Sequence, residues 1–329
     1  MTKSESNPTQ YVLVSLTVFV GWGMLTVLTA FLINSILINW YDWASLSELL
    51  KEKGSTGFVS VQAGFYVVGI VIAGAATQAT NQGDLRSSAT RISNFNAFLV
   101  RSAFWVVLLV GIVDAVVSLM RVEGLLEILL DEELADNLGR SSFRGPYLHG
   151  PLILAGIVIA LFTRTLGFIW LAFLVVLAEL IIVFSRFVFS YEQPLMADLV
   201  RFWYGALFLF ASAYTLLEDA HVRVDLLYAG FSRPSQGKVN AIGSILFGMV
   251  FCWVIILLGM GGASSTINGP IMVFEITQAG FGMFTKYMMA GFLGVFAVTM
   301  LIQFVAMLFE ALADILQQPG HRVIQHNPH

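Results

Sequence analysis

The chain has 329 residues, of which 57% are hydrophobic and only 12% are charged, whereas about one quarter of an ordinary globular chain is charged. Charged residues are absent over whole bilayer widths, from Tyr11 to Tyr41, from Gly54 to Gly83 and from Val239 to Phe274. A net charge of −4 excludes a basic face for nucleic acid. The single cysteine, Cys252, excludes a disulfide framework and a thiolate metal cluster. The composition therefore predicts a polytopic membrane protein.

Eight apolar segments have the length of about 20 residues that a membrane-spanning helix needs. We therefore predict an all-α membrane helix bundle with spans at residues 11–34, 58–79, 98–120, 146–163, 166–189, 197–218, 238–260 and 284–312. An even number of spans places both termini on one side of the membrane. The loop after the sixth span carries Arg223, Arg233 and Lys238, and no Lys or Arg lies between Lys238 and Lys286. Because positive charge favours the cytoplasmic side, we expect both termini in the cytoplasm.

An extramembrane segment at 121–140 has an apolar and an acidic face. Its leucines recur at helical spacing, and six carboxylates, from Glu123 to Asp136, occupy the other positions. Such a helix is expected to lie in the membrane interface rather than to span the bilayer. Its acidity favours the outer face, away from the anionic cytoplasmic leaflet. A solvated connector without any partner is the alternative interpretation.

Ionisable residues inside membrane spans usually carry function, and few are predicted here. Asp114 falls in the third span, and Glu179 lies near the middle of the fifth. For Glu179 two interpretations stay open. It belongs to a proton or ion pathway, or its carboxyl group is satisfied by a neighbouring helix, a water molecule or a partner subunit.

The five histidines do not predict a cofactor or metal site. We expect none of them deep in a span, which excludes a haem held by two intramembrane histidines. His321, His326 and His329 are in the C-terminal tail, where weak metal binding and a plain polar tail are the two readings. We predict no catalytic, cofactor-binding or metal-binding residues, and no enzymatic activity. An anchor for a membrane enzyme is correspondingly disfavoured.

A stand-alone secondary transporter or channel is the main alternative to a scaffold. Such proteins place an unwound, polar stretch of backbone at an ion site. The small and polar stretch at 261–266 could form one, as could a site in the N-terminal half of the chain. The stretch at 261–266 follows a complete predicted helix, however, and an ordinary loop is the competing interpretation.

The densest group of polar residues follows the sixth span. This 218–225 cluster consists of Glu218, Asp219, His221, Arg223 and Asp225. If the helix continues, Asp219 with Arg223 and His221 with Asp225 are pairs four residues apart that share a face. Five ionisable groups beside an uncharged span suggest contact with a partner. A charged helix end at the interface is the alternative, since exposed pairs contribute only tenths of a kcal/mol.

The segment His-Val-Arg-Val-Asp at 221–225, after a Gly/Ala-rich helix, resembles the signature of the small membrane subunit of TRAP transporters, the DctQ family. The stretch 186–190 resembles the family's Arg-aromatic end of the first helix. Glu275, Gly280, Gly282 and Lys286 resemble a turn of the variety associated with mannitol or chloroaromatic compounds. The resemblance covers residues 166–315 and four helices. The family commonly has a Glu at the entry to its second helix, and the nearest acidic residues in this chain are Glu192 and Asp198.

The resemblance implies a scaffold subunit of a tripartite secondary transporter in a bacterial inner membrane. Its expected partners are a large membrane subunit, a periplasmic substrate-binding protein and membrane lipid. Uptake of organic acids is expected to be driven by a sodium gradient that acts through the large subunit. We expect three regions, namely a membrane extension at 1–165, a four-helix DctQ-like domain at 166–315 and a polar tail at 316–329. The extension is expected to shield the partner, thicken the scaffold or contact the binding protein.

Overall fold

The fold is described from a computed structural model, which covers residues 8–43, 56–164, 168–192, 194–217, 228–277 and 282–320. Regular structure in these residues is helical throughout. The helices are α1 (Pro8–Trp40), α2 (Thr56–Gln82), α3 (Leu85–Val122), α4 (Leu126–Leu129), α5 (Glu132–Leu138), α6 (Ser141–Phe162), α7 (Phe168–Phe189), α8 (Pro194–Leu217), α9 (Arg233–Met260), α10 (Asn268–Met272) and α11 (Lys286–Ile315). A wide π turn interrupts α6 at Gly145–His149 and α9 at Ser244–Met249.

Eight of the described helices are long and apolar enough to cross a membrane: α1, α2, α3, α6, α7, α8, α9 and α11. The predicted all-α polytopic class is therefore confirmed. Most of these helices extend beyond the predicted spans, because polar residues continue the helix past the apolar run. The largest difference is at α3, which begins at Leu85 and so includes Arg86 and Arg91.

The chain divides into two compact units. The first contains Met1–Asn96, Leu216–Val254 and Met300–His329, and the second contains Ala97–Thr215 and Ile255–Thr299. Both units therefore combine residues from the N-terminal half of the chain with residues from the C-terminal half. Three long helices contribute one part to each unit, namely α3, α9 and α11.

In the first unit, α1 and α2 form a hairpin that packs against the C-terminal part of α11. Trp22 donates its indole N–H to the Thr80 hydroxyl at 3.0 Å, which joins the two helices of the hairpin. The Trp22 ring lies 5.7 Å from that of Phe309 on α11. Gly21 lets this contact form, because a Cβ atom there would lie 2.6 Å from the Phe309 ring. Apolar packing thus attaches the N-terminal helices directly to the last helix.

An ion-pair network also ties the first unit together, and we call it the Arg86 network: Arg86, Arg233, Glu310 and Asp314. Arg86 at the start of α3 donates to both Glu310 and Asp314 on α11, the latter at 2.7 Å. Arg233 at the start of α9 donates to the same Asp314 oxygen at 3.2 Å. Arg86 also donates to the carbonyl oxygen of Pro319. Two cations and two carboxylates therefore neutralise each other where three helices meet.

In the second unit, aromatic side chains and close backbone contacts hold the helices. The Phe210 ring of α8 lies 5.8 Å from Phe104 of α3 and 5.0 Å from Phe292 of α11. A Cβ atom at Gly156 of α6 would lie 2.8 Å from the backbone nitrogen of Val106. Such close approach of backbones at glycine is typical of helix packing in membranes. There is no hydrophobic driving force between helices in lipid, and small residues allow the close van der Waals packing that holds them together.

The amphipathic segment 121–140 differs from the single helix that its periodicity predicts. Gly124 adopts a positive φ of 69°, which breaks the helix after Val122. Two short helices follow, α4 and α5, separated by Asp131 in an extended conformation. The prediction was wrong on continuity because spacing alone does not reveal the left-handed backbone that glycine readily adopts.

Replacing Arg86 with Ala should destabilise the protein strongly. The change removes a cation that pairs with both the mostly buried Asp314 and its neighbour Glu310. Removing one partner of a buried ion pair typically costs about 3 kcal/mol or more. Thermal unfolding of the purified protein in detergent should therefore begin at a clearly lower temperature.

Arg91→Ala is the matched control, since Arg91 is exposed one turn further along. Within the described part of the chain it bonds to Ser87 and Ser88 of its own helix. This substitution should change stability by less than about 0.5 kcal/mol. Equal unfolding temperatures for the two variants would contradict a stabilising role for the Arg86 network.

Candidate functional site

The π turn of α6 brings two polar side chains onto one side of the helix. Arg144 precedes the turn and His149 ends it, and the Gly150 N–H bonds to the carbonyl oxygen of Gly145 in the i→i+5 pattern. Pro151 favours this arrangement because it has no N–H for the carbonyl oxygen four residues earlier. Because a π turn contains more residues than an α-helical turn, two residues five positions apart are separated by a smaller angle around the helix axis than in an α-helix. Arg144 and His149 can therefore reach the same partner.

That partner is Asp114 of α3. Its Oδ1 accepts hydrogen bonds from Arg144 Nη1 at 2.8 Å and from His149 Nε2 at 3.1 Å. Its Oδ2 accepts a hydrogen bond from the backbone N–H of Phe284 at 2.8 Å. Tyr287 lies 2.7 Å from His149 Nδ1. Because an ionised carboxylate only accepts, Nε2 carries the hydrogen and Nδ1 can accept from the tyrosine hydroxyl.

The side chains of Asp114, Arg144 and His149 are completely buried. We call these three residues, together with Ser118 and Tyr287, the Asp114 network. Arg144 also donates to the Ser118 hydroxyl at 2.9 Å and to the carbonyl oxygen of Leu138. The network therefore joins α3, α6 and the start of α11 within the second unit. Each oxygen of the buried carboxylate has a donor, which is the condition for a charge to persist in a low-dielectric interior.

Two guanidinium groups lie over the same aromatic ring beside this network. The Cζ atoms of Arg121 and Arg144 are 4.4 Å and 4.3 Å from the centroid of the Phe284 ring. Among the described residues, Arg144 Nη2 has no hydrogen-bond partner, so the negative face of the ring is its main compensation. Arg121 also donates to the carbonyl oxygen of Gly282 at 3.0 Å. The turn before α11 is therefore fixed from two sides.

Sequence reasoning identified Asp114 as a membrane-embedded acid but missed its partners. The predicted span at 146–163 places Arg144 outside the membrane and His149 at the edge of the span. The structure begins that span at Ser141, so His149 lies well inside it. The expectation that every histidine lies away from the interior of a span was wrong here. The signal available in the sequence was the five-residue spacing of Arg144 and His149, with Pro146 between them and Pro151 after them.

The family-like motif before α11 also forms specific contacts. Lys286 donates to Glu275 at 2.5 Å, so these two motif residues form an ion pair across the turn. Asp198, near the start of α8, accepts the backbone N–H of Met283 at 3.1 Å. Glu192 instead lies 3.5 Å from Arg186 in an exposed pair. Of the two candidates for the family's Glu before the second helix, Asp198 is thus the one that bonds to the turn.

The loop at 261–266 uses its polar groups internally. The Ser265 hydroxyl donates to the carbonyl oxygens of Gly259 and Gly262, both at 2.6 Å. Asn268 donates to the carbonyl oxygens of Met260 and Gly262. Three backbone carbonyls in or next to this loop, at 259, 260 and 262, therefore already accept hydrogen bonds. This favours the ordinary-loop interpretation.

Glu179 contrasts with these satisfied groups. It lies near the middle of α7 with an exposed side chain, and none of the described residues donates to it or forms an ion pair with it. Of the interpretations given above for its carboxyl group, satisfaction by a neighbouring helix finds no support in the described part of the chain.

The 218–225 cluster of Glu218, Asp219, His221, Arg223 and Asp225 lies outside the described residues, between the end of α8 and Tyr228. The two predicted pairs stay predictions. In the described residues that follow, Tyr228 accepts a hydrogen bond at its hydroxyl from Asn240 of α9 at 2.8 Å. Arg233 then begins α9 and belongs to the Arg86 network.

The acidic segment borders a cavity of about 600 Å³. Its lining includes Arg121, Arg140, Glu127, Glu132 and Asp136. Arg140 and Asp136 form an exposed ion pair. Within the described residues, no group of three or more His, Cys, Asp or Glu side chains is arranged to hold a metal ion. The chemistry available at this surface is recognition of charge.

Replacing Asp114 with Asn should destabilise the protein by about 3–5 kcal/mol, because Arg144 loses its buried counter-charge. The exposed carboxylate of Asp136, whose side chain is 64% accessible, offers the same chemical change as a control. Asp136→Asn should cost less than about 1 kcal/mol. Denaturant unfolding of both variants in micelles measures the difference, and similar losses would contradict the account.

Comparison with known proteins gives one family match. Residues 172–314 match the family model of the tripartite ATP-independent periplasmic transporters, DctQ component. None of the curated proteins matches the chain, and neither does any solved structure. The matched region runs from α7 to the end of α11, and helices α1 to α6 precede it. Residues 172–314 of this chain are thus similar to the DctQ family, the small membrane component of TRAP transporters.

Proposed function

We propose that this chain is the small integral-membrane scaffold subunit of a tripartite secondary transporter in a bacterial inner membrane. It assembles with a large membrane subunit and a periplasmic substrate-binding protein. The complex takes up organic acids or related solutes. A sodium gradient drives uptake through the large subunit, and this chain carries no cofactor of its own. Both termini face the cytoplasm.

The observation that carries the proposal is the pairing of buried charge. Among the described residues, the charged side chains that are buried are Arg86, Asp114, Arg144 and Asp314. Each of them forms an ion pair with another side chain of the chain. A transport pathway needs ionisable groups that are free to exchange an ion or proton with water. Groups that neutralise each other across helices are instead suited to holding those helices still.

The N-terminal extension at 1–165 supports the same proposal, because it contributes directly to the stability of the DctQ-like domain at 166–315. In the first unit, Arg86 and Trp22 contact the last helix. In the second unit, Asp114 and His149 contact the residues that begin it. These contacts favour an extension that thickens the scaffold, because in each unit its residues contact the last helix or the residues just before it. Its acidic segment, on the outer face, is available to the binding protein.

The 218–225 cluster is proposed as a contact with the large subunit or with lipid headgroups on the cytoplasmic side. The three cations Arg223, Arg233 and Lys238 follow α8 within a short stretch, and Arg233 is already engaged by Asp314. Arg223 is thus proposed to act outside the chain. The polar tail at 316–329 has no proposed contact with a partner.

Isolation in mild detergent from native membranes tests the proposal. A copy tagged at its C-terminus should recover a large membrane subunit in a one-to-one ratio. Recovery of this chain alone, together with ion-driven solute uptake after reconstitution, would instead establish the stand-alone transporter.

Arg223→Ala should weaken assembly or transport without changing substrate choice, because the cluster positions the subunit and does not touch substrate. The recovered large subunit and the uptake rate measure the effect, and a panel of competing organic acids measures selectivity. Arg91→Ala removes an exposed cation assigned to the same side of the membrane and should leave both quantities unchanged. Wild-type yield and uptake in Arg223→Ala would refute the role of the cluster.

A further inference from the structure

Glu179 occupies the face of α7 that points away from the other described residues. Leu171 and Ala178, seven residues apart, are buried and mark the inward face of the helix. Glu179 follows Ala178 and is therefore turned by about 100° from it. Val176 and Val183, which share its side of the helix, are 66% and 50% exposed. Only 11% of the most apolar window of this helix is buried, the lowest share among the eight candidate spans.

The carboxyl group also lies at the depth where water is scarcest. Glu179 is eleven residues from the start of α7 at Phe168 and ten from its end at Phe189. At a rise of 1.5 Å per residue this is about 15 Å from either end. The hydrocarbon core is about 30 Å thick, so the carboxyl lies close to the bilayer midplane. A glutamate side chain is too short to reach the headgroups from there.

An exposed acid at this depth is costly in lipid and is usually paired. The buried acids Asp114 and Asp314 each have a cation within the chain, whereas no described residue supplies one to Glu179. We propose that this face of α7 docks a membrane helix of the large subunit that carries a lysine or arginine side chain at mid-bilayer depth. The inference rests on the proposed function and adds the docking face and the chemistry of the partner.

The negative charge of Glu179 indicates which molecule packs on this face of α7. Lipid tails would leave the carboxyl without a donor. A second copy of this chain, packed by a two-fold axis on the same face, would place Glu179 against Glu179, which requires a shared proton. A cation from a different subunit removes both problems, and the flanking apolar side chains Val176 and Val183 supply packing on either side.

The test compares Glu179→Gln with Glu179→Asp in the complex isolated from native membranes. Loss of the charge in Glu179→Gln should reduce the recovered large subunit at least about tenfold, because the partner's cation is left unpaired. Glu179→Asp keeps the charge and should retain most of the complex. Glu192→Gln removes a carboxylate that is exposed beyond the end of α7 and should have no effect. Each variant must give a monodisperse peak in detergent.

The outcomes separate this inference from the proposed function. If wild type recovers the large subunit and Glu179→Gln recovers as much, the docking inference is wrong and the scaffold function stands. If wild type is a homodimer that Glu179→Gln dissociates, the occupant is a second copy and the inference is wrong. If wild type recovers no partner, the proposed function itself fails. A photoreactive benzophenone at Val176 or Val183 should cross-link to the large subunit if the inference is right.

Discussion

A charge inside a membrane protein must find its counter-charge, and this constraint organises both units of the chain. Asp114 is completely buried, and three donors from two other segments satisfy it. Asp314 binds two arginines that begin two different helices. Because the helices must meet for the charges to be neutralised, the networks fix which helices are neighbours. Apolar packing alone would specify this less sharply, since lipid tails are as apolar as leucine.

The spans were predictable because an apolar run of bilayer length has few other uses. The residues at which the spans begin and end were harder to predict from the sequence. Arg86 and Arg91 look like loop residues in the sequence, yet they lie in the first turns of α3. There Arg86 binds carboxylates more than 200 positions away along the chain. The break at Gly124 and the π turn before His149 depend on backbone geometry. Hydrophobic periodicity does not carry that information.

The candidate site was also only partly predictable from the sequence. The acid at 114 could be singled out from composition, but not Arg144 or Tyr287, whose partnership with it exists only after folding. Glu179 was identified from its position in an apolar run, and the structure adds that it faces outward. The 218–225 cluster was identified as the densest group of polar residues, and the family match to residues 172–314 includes it. Its contacts stay a prediction because the cluster lies outside the described residues.

The central claim is that this chain holds helices still and conducts nothing by itself. Ion flux into liposomes that contain only the purified chain tests it most directly, with radioactive sodium and a pH-sensitive dye as the two readouts. The account predicts fluxes equal to those of protein-free liposomes under a sodium or proton gradient. Gradient-driven flux that Glu179→Gln or Asp114→Asn abolishes would contradict it, because these acids would then form a pathway.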